Sequence, residues 1–198
     1  MAVSIDDIKK LKELTGVGLG DAKSALVESD GDFDKALEAM RKKGLTKAEK
    51  KGDREARAGV IDSYVHDGRI GVVVEVNCET DFVARLDDFK TLAHEIAMQV
   101  AAMSPRYANE SDVPAEERER VKAEMMASDS LSQKPEEMRE KIVEGQISKH
   151  FAEQVLLSQK YILDDSKTVE QHVKENIAKL GENIVVRQFK RIELGVSE

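Results

Sequence analysis

The sequence predicts an α+β protein, in which three short helices precede a small antiparallel sheet covered by further helices. Three observations support this fold class. Apolar residues recur at helical spacing along most of the chain, so predicted helices outnumber predicted strands. Two β-branched segments, 60–65 and 70–76, flank the pair Asp67-Gly68, which is the strongest short-range signal for a β-hairpin. A last strand is predicted at 184–194, where Val, Ile and Phe are frequent.

The composition restricts the class of protein. The 198 residues carry a formal net charge of −8, and this acidic balance argues against nucleic acid as the main partner. A single Cys excludes an intramolecular disulfide framework. Residues 1–7 lack the pattern of a signal peptide, and no apolar run approaches the roughly 18 residues of a membrane helix. We therefore expect a cytoplasmic protein that has no membrane partner.

The apolar periodicity divides the chain into three parts. Residues 1–45 are expected to form a three-helix N-terminal domain, and Gly44, which follows a basic run, is expected just after the end of the third helix. Residues 46–57 are charged and show no apolar period, which indicates a linker. Its basic residues are interpreted as solvated. Residues 58–198 are expected to form an α+β core domain that also mediates dimerisation.

Capping residues indicate where several helices begin and end. Asp21 and Asp32 are placed to cap the second and third helices. In the core, Pro135 is expected to open one helix. Thr168 begins a capping box for the last helix, which Gly181 is expected to close.

The loop at 15–20, between the first two predicted helices, contains three glycines. Phosphate-binding P-loops are also glycine-rich, but they follow a strand and end in Gly-Lys-Ser or Gly-Lys-Thr. This loop has neither feature, so the sequence does not predict a nucleotide site here.

A corner is predicted where the strand at 70–76 gives way to a helix at 87–103. Thr80 or Asp81 can cap a first helical turn at this corner, which leaves Phe82 outside both apolar stripes. Taken singly, an aromatic residue near a strand end is more often part of the core, and an Asp at a helix start is most often only a cap. Taken together, these residues suggest a short acidic and aromatic wedge that projects from the corner.

No catalytic or metal-binding constellation is predicted, and no cofactor is expected. Cys78 could act as a nucleophile only if a His and a third group met it in space, and a core position at a strand end is preferred. The carboxylates lie mostly on polar helix faces. The histidines lack the spacing of metal ligands and occur at His66, His94, His150 and His172. These features indicate a binding protein and not an enzyme.

Three segments resemble the bacterial elongation factor Ts family, whose members are guanine-nucleotide exchange factors of elongation factor Tu. Residues 14–44, from Leu-Thr-Gly-Val-Gly to the glycine after the third helix, resemble its N-terminal module, a three-helix bundle like the ubiquitin-associated (UBA) domain. Residues 75–84, Glu-Val-Asn-Cys-Glu-Thr-Asp-Phe-Val-Ala, resemble its most distinctive motif. Residues 165–169, with 141–145 upstream, resemble its C-terminal signature.

The resemblance implies a function and two partners. It implies an exchange factor that promotes GDP release from elongation factor Tu, binding both the GDP-bound and the nucleotide-free forms. Long members of the family have two copies of the core subdomain and a coiled-coil insertion. This chain has room for one core and resembles the short form, which works as a homodimer.

The resemblance also assigns roles to residues. A wedge that dislocates the Mg²⁺ of the partner comprises Thr80, Asp81, Phe82 and Val83. A second surface, which docks on another part of the GTPase, comprises Leu11, Lys12, Val17, Gly18 and Leu19. Lys12 stands where the family usually has Arg, and Leu19 and Gly20 stand where Met is common.

Two functions of other classes remain as alternatives. One is a ubiquitin-type adaptor built on residues 1–50, and the other is an enzyme that uses Cys78 or a pair of carboxylates. Neither explains the matches at 75–84 and 165–169.

Overall fold

The computed structural model describes residues 3–15, 17–128 and 136–196. Three N-terminal helices precede a small antiparallel sheet packed with further helices, which confirms the predicted α+β class. The helices in these residues are α1 (Ile5–Thr15), α2 (Leu19–Glu28), α3 (Phe33–Glu49), α4 (Asp81–Ala84), α5 (Asp87–Met103), α6 (Ala115–Met126), α7 (Glu136–Gln154) and α8 (Val169–Leu180). The strands are β1 (Ala58–His66), β2 (Ile70–Cys78), β3 (Lys160–Tyr161), β4 (Asp164–Thr168) and β5 (Ile184–Glu193).

The main sheet has the order β1-β2-β5, and both strand pairs are antiparallel. The predicted hairpin is confirmed, because β1 and β2 are joined by a tight turn at Asp67 and Gly68. Their φ angles of 49° and 67° lie in the left-handed region that such hairpin turns require. The predicted last strand is also confirmed and pairs with β2 from Ile184 to Glu193, with one register shift between Glu75 and Val76 of β2.

One face of this sheet forms the core. Val72, Val74 and Val76 point inward, as their alternation predicts, and pack with buried residues of α5 and α8 such as Phe89 and Ile177. The opposite face stays open and carries several exposed apolar residues: Ile61, Val65, Val73 and Ile192.

The N-terminal helices pack around a small cluster of their own, and α3 also packs on α8 of the core. The prediction that α3 ends before Gly44 is wrong, because the helix continues to Glu49. A Cβ at position 44 would lie 3.3 Å from the Cβ of Ala178, so glycine permits the two helices to approach closely. Ala48 is buried in the core. The first residues of the predicted linker are therefore helical, and the division at 1–45, 46–57 and 58–198 stays a prediction.

The capping predictions are confirmed at the start of α3 and at both ends of α8, and the prediction for α2 is wrong. Asp32 accepts a hydrogen bond from the Lys35 amide at 3.1 Å, and Thr168 forms the predicted capping box. Gly181 ends α8 with a φ of 83°. Asp21 is not a cap, because α2 begins earlier, at Leu19, and Asp21 lies inside its first turn.

Pro135 and Gly16 lie outside the described residues. A second sheet, which pairs β3 with β4, was not predicted. In the part of the chain that the structure describes, no helix combines the length and the apolar character that a bilayer crossing requires.

Candidate functional site

The corner between β2 and α5 is built on Thr80. Its hydroxyl oxygen accepts a hydrogen bond from the amide of Val83 at 3.4 Å, so Thr80, and not Asp81, is the N-cap of α4. Its carbonyl accepts a bond from the Sγ of Cys78 at 3.1 Å. These local bonds turn the chain sharply within a few residues of the end of β2.

The four-residue helix α4 has one face in the core and one in solvent. The side chains of Val83 and Ala84 are buried against the sheet, whereas the ring of Phe82 is 77% exposed. No other large hydrophobic side chain in the described residues has a larger exposed fraction. Leaving such a ring in water forgoes about 1.5–3 kcal/mol of burial free energy. The ring is therefore available for burial in a partner.

Asp81 directly precedes Phe82 in the chain and is also exposed. Its carboxylate accepts a hydrogen bond from the guanidinium of Arg85 at 2.7 Å. An exposed pair at this helical spacing contributes only about 0.3–0.5 kcal/mol, so it is broken easily. The corner thus presents an exposed carboxylate and an exposed aromatic ring at consecutive positions of the chain.

The N-terminal residues assigned to partner binding have different environments. Lys12 and Gly18 are exposed, Val17 is half-buried, and the side chain of Leu19 is 54% exposed. Leu11 has no exposed surface and packs inside the helical cluster. Its side chain is therefore part of the N-terminal core and lies beneath the exposed residues of the predicted docking surface.

Leu14, at the end of α1, was missed in the sequence and is exposed. The sequence carries no signal for this exposure, because Leu14 continues the three-residue spacing of Ile8 and Leu11. The exposed Leu14 and Leu19 lie on either side of the glycine loop.

The other candidate residues have structural environments. Cys78 is fully buried, and burial raises the pKa of its thiol, so a reactive thiolate is disfavoured at neutral pH. The Nδ1 of His94 lies 3.0 Å from a carboxylate oxygen of Asp62. Within residues 3–15, 17–128 and 136–196, His, Cys, Asp and Glu side chains form no group of three that could hold a metal ion.

Comparison with known proteins identifies the family. The sequence model described as elongation factor TS matches residues 45–196. The chain is 54% identical to elongation factor Ts of Thermotoga neapolitana over 196 residues, which cover 98% of each protein. It is 50% identical to elongation factor Ts of Syntrophomonas wolfei, with 98% of this chain and 91% of that protein covered. The corresponding protein of Synechococcus sp. WH7803 is 51% identical, with 98% and 90% covered. The chain therefore belongs to the elongation factor Ts family, whose members are factors of protein biosynthesis.

Proposed function

We propose that this protein is a guanine-nucleotide exchange factor for elongation factor Tu and promotes GDP release during translation elongation. Its family membership supports this role. The observation that carries the proposal is the exposed Phe82 beside Asp81 on a corner that is otherwise anchored in the core. The partner is a protein, and no chemical step on a substrate is proposed. The cytoplasm, where translation occurs, is the proposed location.

The corner acts as a wedge at the GTPase. Phe82 enters an apolar pocket beside the Mg²⁺ site of the partner, and Asp81 disturbs the ligand network of that ion. Thr80 and Val83 hold the wedge in shape, one as the cap of α4 and the other as its buried anchor. Loss of Mg²⁺ leaves the phosphate charges of GDP uncompensated and weakens nucleotide binding.

Burial of the ring accounts for part of the effect. Burying a Phe side chain contributes about 1.5–3 kcal/mol, and each 1.4 kcal/mol changes an equilibrium constant about tenfold. Because Phe82 is mostly exposed in the free chain, it can weaken GDP binding by about ten- to a hundredfold. A larger effect requires the displacement of Mg²⁺ or a second contact. Linkage also requires that GDP weakens binding of the factor to the same degree.

The second contact is the surface formed by Lys12, Val17, Gly18 and Leu19. Val17, Gly18 and Leu19 lie at the start of α2, and Lys12 lies on α1. Together they dock on another part of the GTPase domain. Leu11 contributes by fixing α1 from inside the helical cluster. Docking at this surface raises the effective concentration of the wedge at the Mg²⁺ site.

A second copy of the chain covers the open face of the main sheet. Val65, Gly71 and Ile192 lie in one row across the three strands, and Ile61 and Val73 extend the apolar face. An exposed face of this kind is typical of an interaction surface. Homodimerisation, which the resemblance to the short form implies, would bury it.

The ubiquitin-adaptor alternative is less well supported. It accounts for residues 1–50 only, whereas the family match extends over residues 45–196.

The direct test is the release of fluorescent GDP from elongation factor Tu, in excess unlabelled GDP, with catalytic amounts of this protein. The proposal predicts rapid release that saturates as the factor concentration rises. An unchanged release rate, with the factor shown to be folded, would refute it.

A further inference from the structure

Glu182, in the loop after α8, contacts the wedge corner through both of its carboxylate oxygens. Oε2 accepts a hydrogen bond from the backbone amide of Thr80 at 3.0 Å, and Oε1 accepts one from the Thr80 hydroxyl at 2.7 Å. The two residues are 102 positions apart in the chain. The Thr80 hydroxyl thus acts both as a donor, to Glu182, and as an acceptor, from Val83.

These bonds matter because α4 is too short to stand alone. A single helical turn has an unfavourable nucleation free energy and depends on tertiary contacts for its position. Val83 and Ala84 hold its inner side, and Thr80 holds its beginning. With Glu182 and Cys78 in place, the amide, hydroxyl and carbonyl of Thr80 are all hydrogen-bonded. The beginning of α4 is therefore fixed from a distant segment, and Phe82 follows it by two residues.

The loop that carries Glu182 is itself firmly attached. Gly181 turns the chain with a φ of 83°, and the side chain of Asn183 is 3% exposed. The backbone N–H of Asn183 donates to the carboxylate of Glu79, the residue before Thr80, at 2.7 Å. Its Nδ2 donates to the carbonyls of Gly52 at 3.2 Å and Arg54 at 2.7 Å. The same three-residue loop thus binds the wedge corner and the segment that joins α3 to β1.

We propose that Glu182 is a positioning residue for nucleotide exchange, which holds the Thr80 cap so that Phe82 is presented in the orientation that enters the partner. This inference rests on the exchange function proposed above. Since the loop also binds the α3–β1 connection, it keeps the wedge and the N-terminal helices in a fixed relation. Pre-organisation of this kind lowers the entropy cost of docking a short projecting element.

Amide hydrogen exchange tests the structural half of the inference without the partner. In Glu182→Ala, the amides of Thr80 and Val83 should exchange faster, while amides in the centre of α5 keep their protection. Glu119→Ala, which removes an exposed carboxylate from α6, is the matched control and should leave the corner unchanged. Unchanged protection of the Thr80 amide in Glu182→Ala would contradict the inference.

The functional half is tested by release of fluorescent GDP from elongation factor Tu. Glu182→Ala should lower the maximal release rate about tenfold, as expected for lost bonds to a charged acceptor, with the half-saturating concentration unchanged. Glu182→Gln keeps one acceptor oxygen and should give an intermediate rate. In the Phe82→Ala background, Glu182→Ala should cause no further loss, because its effect acts through the ring.

The outcomes separate the two proposals. If the unmodified chain does not accelerate release, the exchange function fails, and the positioning role fails with it. If the unmodified chain is active and folded Glu182→Ala is equally fast, only the positioning role fails. An additional loss in the Phe82→Ala background would show that Glu182 does not act through the ring.

Discussion

Phe82 and Val83 are neighbours on one helical turn, yet the side chain of Phe82 is 77% exposed and that of Val83 is 8% exposed. Adjacent helical residues point about 100° apart, so one turn can anchor itself with one side chain and present the next. In this chain the anchor faces the sheet and the presented side chain is an aromatic ring. The wedge proposal depends on this division of roles.

The two positions should respond differently to truncation. Phe82→Ala should change the free energy of unfolding by less than about 0.5 kcal/mol, because the ring has few contacts in the free chain. Val83→Ala should destabilise the protein by roughly 0.5–3 kcal/mol, because it removes buried methyl groups. Urea unfolding of both variants measures the difference. Equal destabilisation would mean that the ring packs on the core in solution.

A similar contrast is expected in the N-terminal helices. Leu11→Ala should destabilise the helical cluster by about 2–5 kcal/mol, as for other buried leucines. Leu19→Ala should leave stability nearly unchanged and weaken binding to nucleotide-free elongation factor Tu. Circular dichroism melts and titration calorimetry provide the two readouts. If Leu19→Ala binds as tightly as the unmodified chain, this surface is not part of the contact.

The ion pair between Glu95 and His172 should make stability depend on pH. Burial raises the pKa of Glu95, but the hydrogen bond and charge of His172, 2.8 Å away, outweigh burial and hold that pKa below its usual value of 4.5. Because folding lowers this pKa, the ionised carboxylate stabilises the fold. This stabilisation is lost as the pH falls from 4.5 through the lower pKa that Glu95 has in the folded state. In Glu95→Gln, the free energy of unfolding should fall less steeply with decreasing pH than in the unmodified chain. Identical pH profiles would contradict the assignment.

The open face of the main sheet should control assembly. The unmodified chain should sediment as a dimer, and Ile61→Glu should dissociate it, because a charge would be buried without a partner in the interface. Val27→Glu, at an exposed apolar position on α2, is the control and should leave the dimer intact. Analytical ultracentrifugation of the three proteins decides the question. A monomeric unmodified chain would refute the proposed homodimer.

Local signals in the sequence predicted much of this fold. The Asp67-Gly68 turn, the Val72 to Val76 alternation and the Thr168 capping box are each specified within a few residues, and each formed as expected. The exposure of Phe82 could also be predicted, since the residue belongs neither to the apolar stripe of the preceding strand nor to that of the following helix.

Features that depend on distant segments could not be predicted in this way. Where α3 continues past Gly44, it packs closely against Ala178 of α8, a contact between distant parts of the chain. The Glu182 contact joins residues 102 positions apart and leaves no local pattern. Leu11 was assigned to docking through a family resemblance, which gives a position in the sequence but not its burial.

The most direct test of the central claim compares Phe82→Ala with the unmodified protein in the release of fluorescent GDP from elongation factor Tu. The account predicts that the variant folds normally and still binds the nucleotide-free partner. It should lower the maximal rate of GDP release by about ten- to a hundredfold, which corresponds to the burial free energy of one Phe side chain. Full exchange activity in a correctly folded Phe82→Ala variant would contradict the wedge.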